Sequence, residues 1–214
     1  MLYGISDKLS IFFNFPFAPR LKGNRHASCG LEDFFGQLEY SFYEKSAALF
    51  QDQATIVGNV AVPTGSMRKN PPTGFGSPSF FLGATFYRVF VDWLLFTSQG
   101  VQLMTPHRSY MAGNQYLYQF GIGKNFPSPK GWIYAWMFEI DGQYGEKNRK
   151  RGRNDPNSGG NVIYATPSLW ISTKTILLQC GFSFPLTQHW YGKKNDFNIA
   201  FNLNFAYSFY PKKA

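Results

Sequence analysis

The sequence predicts an all-β protein, a transmembrane antiparallel up-and-down β-barrel, and three observations support this fold class. Residues 197–209 carry a large apolar side chain at every odd position and a small or polar one at every even position, as a strand with one apolar face does. Aromatic residues make up 19% of the 214-residue chain, although no apolar run is long enough for a membrane helix. Long and short connections alternate along the chain.

Ten strands are predicted from stretches of period-two alternation, and together they form a single domain over residues 1–214. One of them contains Pro167, which cannot donate a ladder hydrogen bond, so we expect a bulge or a bend near it. The predicted strands are 8–15, 33–44, 53–62, 79–87, 88–97, 115–123, 132–141, 161–171, 174–184 and 197–210.

The connections between these strands predict the orientation of the barrel. The long ones are 16–32, 63–78, 98–114, 142–160 and 185–196, and the short ones lie near 45–52, 87–88, 124–130 and 172–173. Long extracellular loops and short periplasmic turns place the last strand in the descending direction. Residues 3–7 resemble a periplasmic turn, and no signal peptide is present in this chain. We therefore expect an N-terminally truncated chain whose parent barrel has about twelve strands.

The alternation also predicts which side chains face the lumen. Strand 132–141 turns Trp136 and Phe138 to one side and Glu139 to the other, and charge belongs on the inner wall because lipid solvates it poorly. The predicted charged lumen groups could pair and plug the barrel, or they could select solutes. The lumen and solute-path candidates are Glu39, Arg88, Asp92, Glu139, Phe35 and Phe90, with Phe12, Tyr43, Leu94 and Met137 on the same inner wall.

A net charge of +9 raises the question of a polyanionic partner. The densest basic run lies in a Gly/Asn/Ser-rich stretch that reads as a long loop, and no aromatic residues alternate with it to stack on bases. We therefore expect no nucleic acid partner. The run is either a solvated loop tip or a surface that binds anionic lipopolysaccharide or host molecules, and its residues are Lys147, Arg149, Lys150, Arg151 and Arg153.

Residues that could carry chemistry are few. His26, His107 and His189 are far apart and fall in predicted loops, and the two cysteines form no metal-binding spacing. A lipid hydrolase built on the barrel wall would need a rigidly placed histidine. We therefore predict no enzymatic activity, no cofactor and no metal.

A series of short motifs resembles the outer-membrane transporter family known as the MetA-pathway of phenol degradation family. The motifs are YGISDKLS at 3–10, GLED at 30–33, VAVPTG at 60–65, GFG at 74–76, SGGN at 158–161 and TPSL at 166–169, in this order. The resemblance implies a bacterial outer-membrane barrel that passes hydrophobic or aromatic compounds.

Two functions are therefore expected. The first is a porin-like outer-membrane channel or transporter that passes small hydrophobic or aromatic solutes by passive diffusion, in contact with outer-membrane lipid. The alternative is a plugged structural barrel whose basic loop binds anionic lipopolysaccharide or host molecules.

Overall fold

The computed structural model describes residues 2–22, 26–128, 130–192 and 198–208. Its main feature is an antiparallel sheet of eleven strands, each hydrogen-bonded to the next one along the chain. Within the described residues no helix is long and apolar enough to cross a membrane. The main-sheet strands are β1 (Leu2–Gly4), β2 (Leu9–Asn14), β5 (Phe34–Ser46), β6 (Phe50–Val62), β7 (Ser79–Phe90), β8 (Trp93–Met104), β10 (Gln115–Phe126), β11 (Ile133–Gly145), β14 (Gly160–Ser172), β15 (Ile176–Trp190) and β16 (Ala200–Tyr207).

The other strands form two small sheets in the long connections. One is a hairpin between β2 and β5, and the other joins two neighbouring loops in the order β13, β12, β9. These strands are β3 (Phe17–Lys22), β4 (Ala27–Leu31), β9 (Tyr110–Met111), β12 (Arg149–Lys150) and β13 (Arg153–Asn154).

All ten predicted strands have a counterpart in the main sheet, and most are longer than predicted. The strand predicted to end at Thr97 continues to Met104, and the strand predicted to end before Pro185 continues to Trp190. The predicted residues 197, 209 and 210 of the last strand lie outside the described residues. The alternation of long and short connections is confirmed. The long connections join the strands at one end, and the short turns join them at the other end.

The first strand is a three-residue segment that the sequence prediction placed partly in a turn. Tyr3 pairs with Ile11, and the chain reverses over residues 5–8, where Ile5 N–H donates to Leu9 O at 2.8 Å. β1 and β16 are the two edges of the sheet in the part of the chain that the structure describes.

The two faces of the main sheet differ in chemistry. Residues paired directly across strands share a face, so the register assigns each side chain to the face of Glu139 or to the face of Phe138. We call the first the polar face and the second the apolar face. The apolar face includes Phe120, which is 53% exposed. Its members also include Tyr40, Ile56, Leu82, Leu95, Trp136, Leu169, Phe182, Phe201, Leu203 and Phe205.

One predicted turn is wrong, and the error changes the faces of its neighbours. The chain does not reverse at Tyr87 and Arg88: β7 continues to Phe90, and the turn is at Val91 and Asp92. In β7 the even-numbered residues belong to the apolar face, because Phe86 pairs with Ala54 on that face. Arg88 and Phe90 therefore lie on the apolar face, and Asp92 lies in the turn.

Two irregularities in strand pairing bear on the predictions. One changes the predicted face of Tyr43, and the other confirms the irregularity expected near Pro167. The register of β5 with β6 shifts between Ser41 and Tyr43, so a bulge moves Tyr43 from the predicted inner wall to the apolar face. The pairing of β14 with β15 shifts between Ile163 and Tyr164 and omits Pro167, so the expected irregularity near this proline is confirmed.

Candidate functional site

The polar face carries negative charge alone within the described strands of the main sheet. Its ionisable Asp, Glu, Lys and Arg side chains are four carboxylates, and the lysine and arginine residues of these strands, Lys45, Arg88 and Lys124, lie on the apolar face. Arg88 and Asp92, which were predicted to share the inner wall with Glu39 and Glu139, do not lie on this face, so the predicted pairing of these four groups is wrong. The carboxylates are Glu39, Glu44, Glu139 and Asp141.

Glu139 lies at the middle of β11 and is 7% exposed. Gln119, on the neighbouring β10, donates its Nε2–H to Glu139 Oε2 at 2.8 Å. The other carboxylate oxygen, Oε1, is buried and has no hydrogen-bond partner among the described residues. A buried acceptor of this kind can receive a hydrogen bond from a water or from a solute group.

A separate chain of hydrogen bonds begins at Asp141, two residues further along β11, and extends across three further strands. Thr166 on β14 donates its Oγ1–H to an acceptor at either Asp141 Oδ2, at 2.8 Å, or Ser183 Oγ, at 2.9 Å. Asn202 on β16 donates Nδ2–H to Ser183 Oγ at 2.9 Å. Asp141 and Gln119 also line a cavity of about 320 Å³, whose other lining residues include Phe81, Ser98, Gly100, Leu117, Gln143 and Tyr164.

Glu39 and Phe35 lie on the polar face of β5, as predicted. Gln37 Nε2–H donates to Glu39 Oε1 at 2.6 Å, and Ser10 Oγ–H donates to Glu39 Oε2 at 3.5 Å. The Phe35 ring lies 5.9 Å from the Phe12 ring between centroids. The predicted positions of Phe12, Leu94 and Met137 on this face are also confirmed.

Arg88 forms an ion pair on the opposite face. Its Nε donates to Asp52 Oδ1 at 2.6 Å and its Nη2 donates to Asp52 Oδ2 at 2.8 Å. The guanidinium carbon lies 4.5 Å from the centroid of the Phe50 ring, which itself packs against Phe90 at 6.5 Å between centroids. Arg88 and Phe90 therefore form an aromatic and ionic cluster near the short turns rather than a solute path, and exposed Asp92 is a turn residue.

A second cation on the apolar face has the same kind of surroundings. Lys124 Nζ lies 5.1 Å from the Trp93 ring, and Trp93 packs edge-on against Trp136 with 6.0 Å between centroids. Lys45 Nζ lies 5.8 Å from the Phe50 ring. Aromatic rings beside cations at one edge of an otherwise apolar surface are typical of a membrane interface.

The predicted basic loop is an ordered hairpin. Arg149 pairs with Asn154, and the two-residue turn consists of Arg151 at φ 51° and Gly152 at φ 76°, the left-handed pair that favours tight hairpins. Arg151 N–H donates to Ser109 O at 2.6 Å, which fixes the hairpin to the neighbouring loop. The five predicted basic residues, Lys147, Arg149, Lys150, Arg151 and Arg153, are all exposed, and Lys147 Nζ lies 4.9 Å from the Tyr191 ring.

The sequence did not predict a group of contacts at the strand ends from which the long loops begin. Asp33, just before β5, accepts backbone hydrogen bonds from Gly65 and Phe75 in the connection between β6 and β7. The GLED, VAVPTG and GFG motifs, which are separate in the sequence, therefore meet around one carboxylate. An aspartate followed at a distance by two glycine-rich turns was the only signal for it in the sequence.

Histidine placement differs from the prediction at one position. His189 lies in β15, paired with Asn161, and not in a loop. His107 is in a loop, where it bridges to Tyr110, and His26 is exposed. In the described part of the chain, no group of three or more His, Cys, Asp and Glu side chains is placed to hold a metal ion.

Comparison with known proteins does not assign this chain to a family. No protein-family model matches the chain, and no curated protein matches it either. The candidate site is therefore defined by its own residues. It consists of the acidic polar face and the β6–β7 connection bound to Asp33 at one end of that face. The opposite, apolar face carries aromatic and cationic side chains near the short turns.

Proposed function

We propose that this protein is an outer-membrane β-barrel channel that passes small solutes by passive diffusion. The observation that carries the proposal is the division of the main sheet into a strongly exposed apolar face and a hydrogen-bonded polar face. In water, an exposed apolar surface spread over so many strands favours aggregation. In a bilayer, hydrocarbon solvates that face and the polar face surrounds an aqueous path.

Curvature of the sheet supports a barrel in this proposal. A cavity of about 340 Å³ is lined by Asn14 of β2 and also by Gln115 of β10, although four strands lie between β2 and β10 in the sheet order. Phe75 lines this cavity and a second one, of about 230 Å³, that is bounded by Trp190 of β15. Both cavities support a sheet that curves toward its polar face, as a barrel requires.

The charge of the polar face limits the class of solute. Four carboxylates without lysine or arginine disfavour anions, so the solutes are neutral or cationic. Phe35, Phe81 and Leu117 add apolar surface between the polar groups. Such a path accepts amphipathic molecules. The resemblance to the phenol-degradation transporter family implies that the solutes are aromatic compounds.

Liposome swelling with the purified, refolded protein tests the channel. We expect small neutral solutes to enter proteoliposomes faster than protein-free liposomes, because the polar face provides a path through the bilayer. A heat-denatured sample incorporated in the same amount is the control. Equal swelling of both samples would refute the channel.

The basic hairpin supports the second candidate function, binding of an anionic surface polymer such as lipopolysaccharide. Four exposed cations lie on a hairpin that is fixed by the Arg151 to Ser109 hydrogen bond, and exposed Lys147 just precedes it, so together they present a preformed positive surface. Clustered cations bind lipid phosphates with about 1 kcal/mol per residue.

Neutralising the hairpin separates the two functions. Changing Arg149, Lys150, Arg151 and Arg153 to glutamine is expected to weaken lipopolysaccharide binding at physiological salt and to leave solute flux unchanged. Lys124→Gln, which removes a cation at the other end of the sheet, is the control. Binding is measured by titration with labelled lipopolysaccharide, and undiminished binding by the fourfold variant would exclude this role of the hairpin.

A further inference from the structure

The connection between β6 and β7 folds back on itself around Asp33. Asp33 Oδ1 accepts the Gly65 N–H at 2.9 Å, and Oδ2 accepts the Phe75 N–H at 2.8 Å. A Cβ atom on Gly74 would collide with the same carboxylate, so this position requires glycine. A single side chain thus holds both ends of the segment 65–75.

Hydrogen bonds within the segment and from its neighbours brace it further. Thr73 N–H donates to Ser66 O and Ser66 N–H donates to Thr73 Oγ1, both at 2.9 Å. Ser28 Oγ–H on β4 donates to Pro71 O at 2.6 Å, and Ser77 Oγ–H donates to Thr105 O at 2.7 Å. Thr73 and Ser77 are buried. We call residues 65–76 the braced lobe.

Phe75 is the aromatic residue of the braced lobe. It lines the cavity bounded by Asn59 and Gln102 as well as the cavity bounded by Gln143 and Trp190, so Phe75 lies where these two cavities adjoin. Its side chain is 45% exposed, which leaves the ring accessible to a solute that approaches from the long loops. The backbone N–H of the same residue donates the hydrogen bond to Asp33 Oδ2.

We infer that the braced lobe is a fixed constriction at the loop end of the channel, in which Phe75 sets the size of the solute admitted and Asp33 is the positioning residue. This inference rests on the proposed channel. An aromatic ring on a hydrogen-bonded lobe is held in place more firmly than one on a free loop. Because the Phe75 ring is uncharged, we expect it to discriminate solutes by their cross-section.

Liposome swelling with neutral sugars of increasing size tests the constriction. Phe75→Ala is expected to raise the entry rate of a trisaccharide several-fold more than that of a monosaccharide, and Phe75→Trp is expected to lower the entry of the larger sugar. Asp33→Ala is expected to act like Phe75→Ala, because it releases both ends of the lobe. Phe80→Ala is the matched control, since Phe80 is also 45% exposed but lies on the apolar face.

Folding of each variant is checked by its heat-modifiable migration on gels. If the wild-type protein admits sugars and Phe75→Ala has the same size dependence, the constriction is refuted while the channel stands. If the wild-type protein admits no sugar while Phe75→Ala does, the channel of the intact protein is refuted, and the lobe is a plug rather than a size-selective constriction. If neither protein admits any sugar, both the channel and the constriction are refuted.

Discussion

Replacing Phe120 with arginine is expected to lower the free energy of unfolding by about 2–4 kcal/mol in a lipid bilayer, the cost of a lipid-facing arginine at mid-depth. Phe120 is at the middle of β10 and on the apolar face, where it pairs with Thr97 and Ile140. Denaturant unfolding in vesicles measures the change.

The adjacent residue provides a matched control for this substitution. Gln119→Arg introduces the same side chain at the same depth but on the polar face, where Glu139 and Asp141 can pair with it. We expect a change of less than about 1 kcal/mol, as is typical of a substitution that leaves packing intact. Equal destabilisation by the two arginines would show that lipid does not contact the apolar face.

Selectivity between potassium and chloride is the second large effect that we expect. The wild-type protein should pass potassium in preference to chloride, because the polar face of the described strands holds carboxylates and no lysine or arginine. Two unit charges 4 Å apart interact by about 4 kcal/mol at an effective dielectric constant of 20, so one side chain in a narrow path can alter ion permeation. Glu139→Lys should reduce the preference several-fold.

Arg88→Gln distinguishes the observed faces from those predicted by the sequence. Arg88 lies on the apolar face, paired with Asp52, so its loss should leave ion selectivity unchanged. If Arg88 faced the lumen, as predicted from the sequence, its removal would take a positive charge out of the pore and make the pore more cation-selective. Reversal potentials in planar bilayers under a salt gradient measure both variants, and a shift for Arg88→Gln alone would contradict the assignment of faces.

Period-two alternation was sufficient to predict ten strands and most of their faces, because each face has a uniform chemistry that extends over a whole strand. Glu39, Phe35 and Glu139 are on the predicted face for this reason. The assignment of Arg88 and Phe90 was wrong because the segment from Ser79 to Thr97 contains no proline or asparagine, and Asp92, a residue type that favours turns, was assigned to a strand. Assigning a residue to the wrong side of a hairpin reverses its face.

Two other features depend on tertiary structure, which alternation does not report. The bulge between Ser41 and Tyr43 inserts one residue and shifts Tyr43 to the apolar face. The Asp33 contacts join segments about 30 and 40 residues apart, and local turn chemistry explained each segment separately. The basic residues 147–153 were predicted as a group, but their hairpin is fixed by Ser109 of another loop.

Membrane partitioning tests most directly whether hydrocarbon covers the apolar face. After expression with an export signal, we expect the protein in the outer-membrane fraction, extractable only with detergent, and migrating faster on gels before heating than after. These results follow from a detergent-resistant β-barrel with a continuous apolar surface. A monodisperse protein in detergent-free buffer, with native secondary structure, would contradict the membrane barrel and the channel built on it.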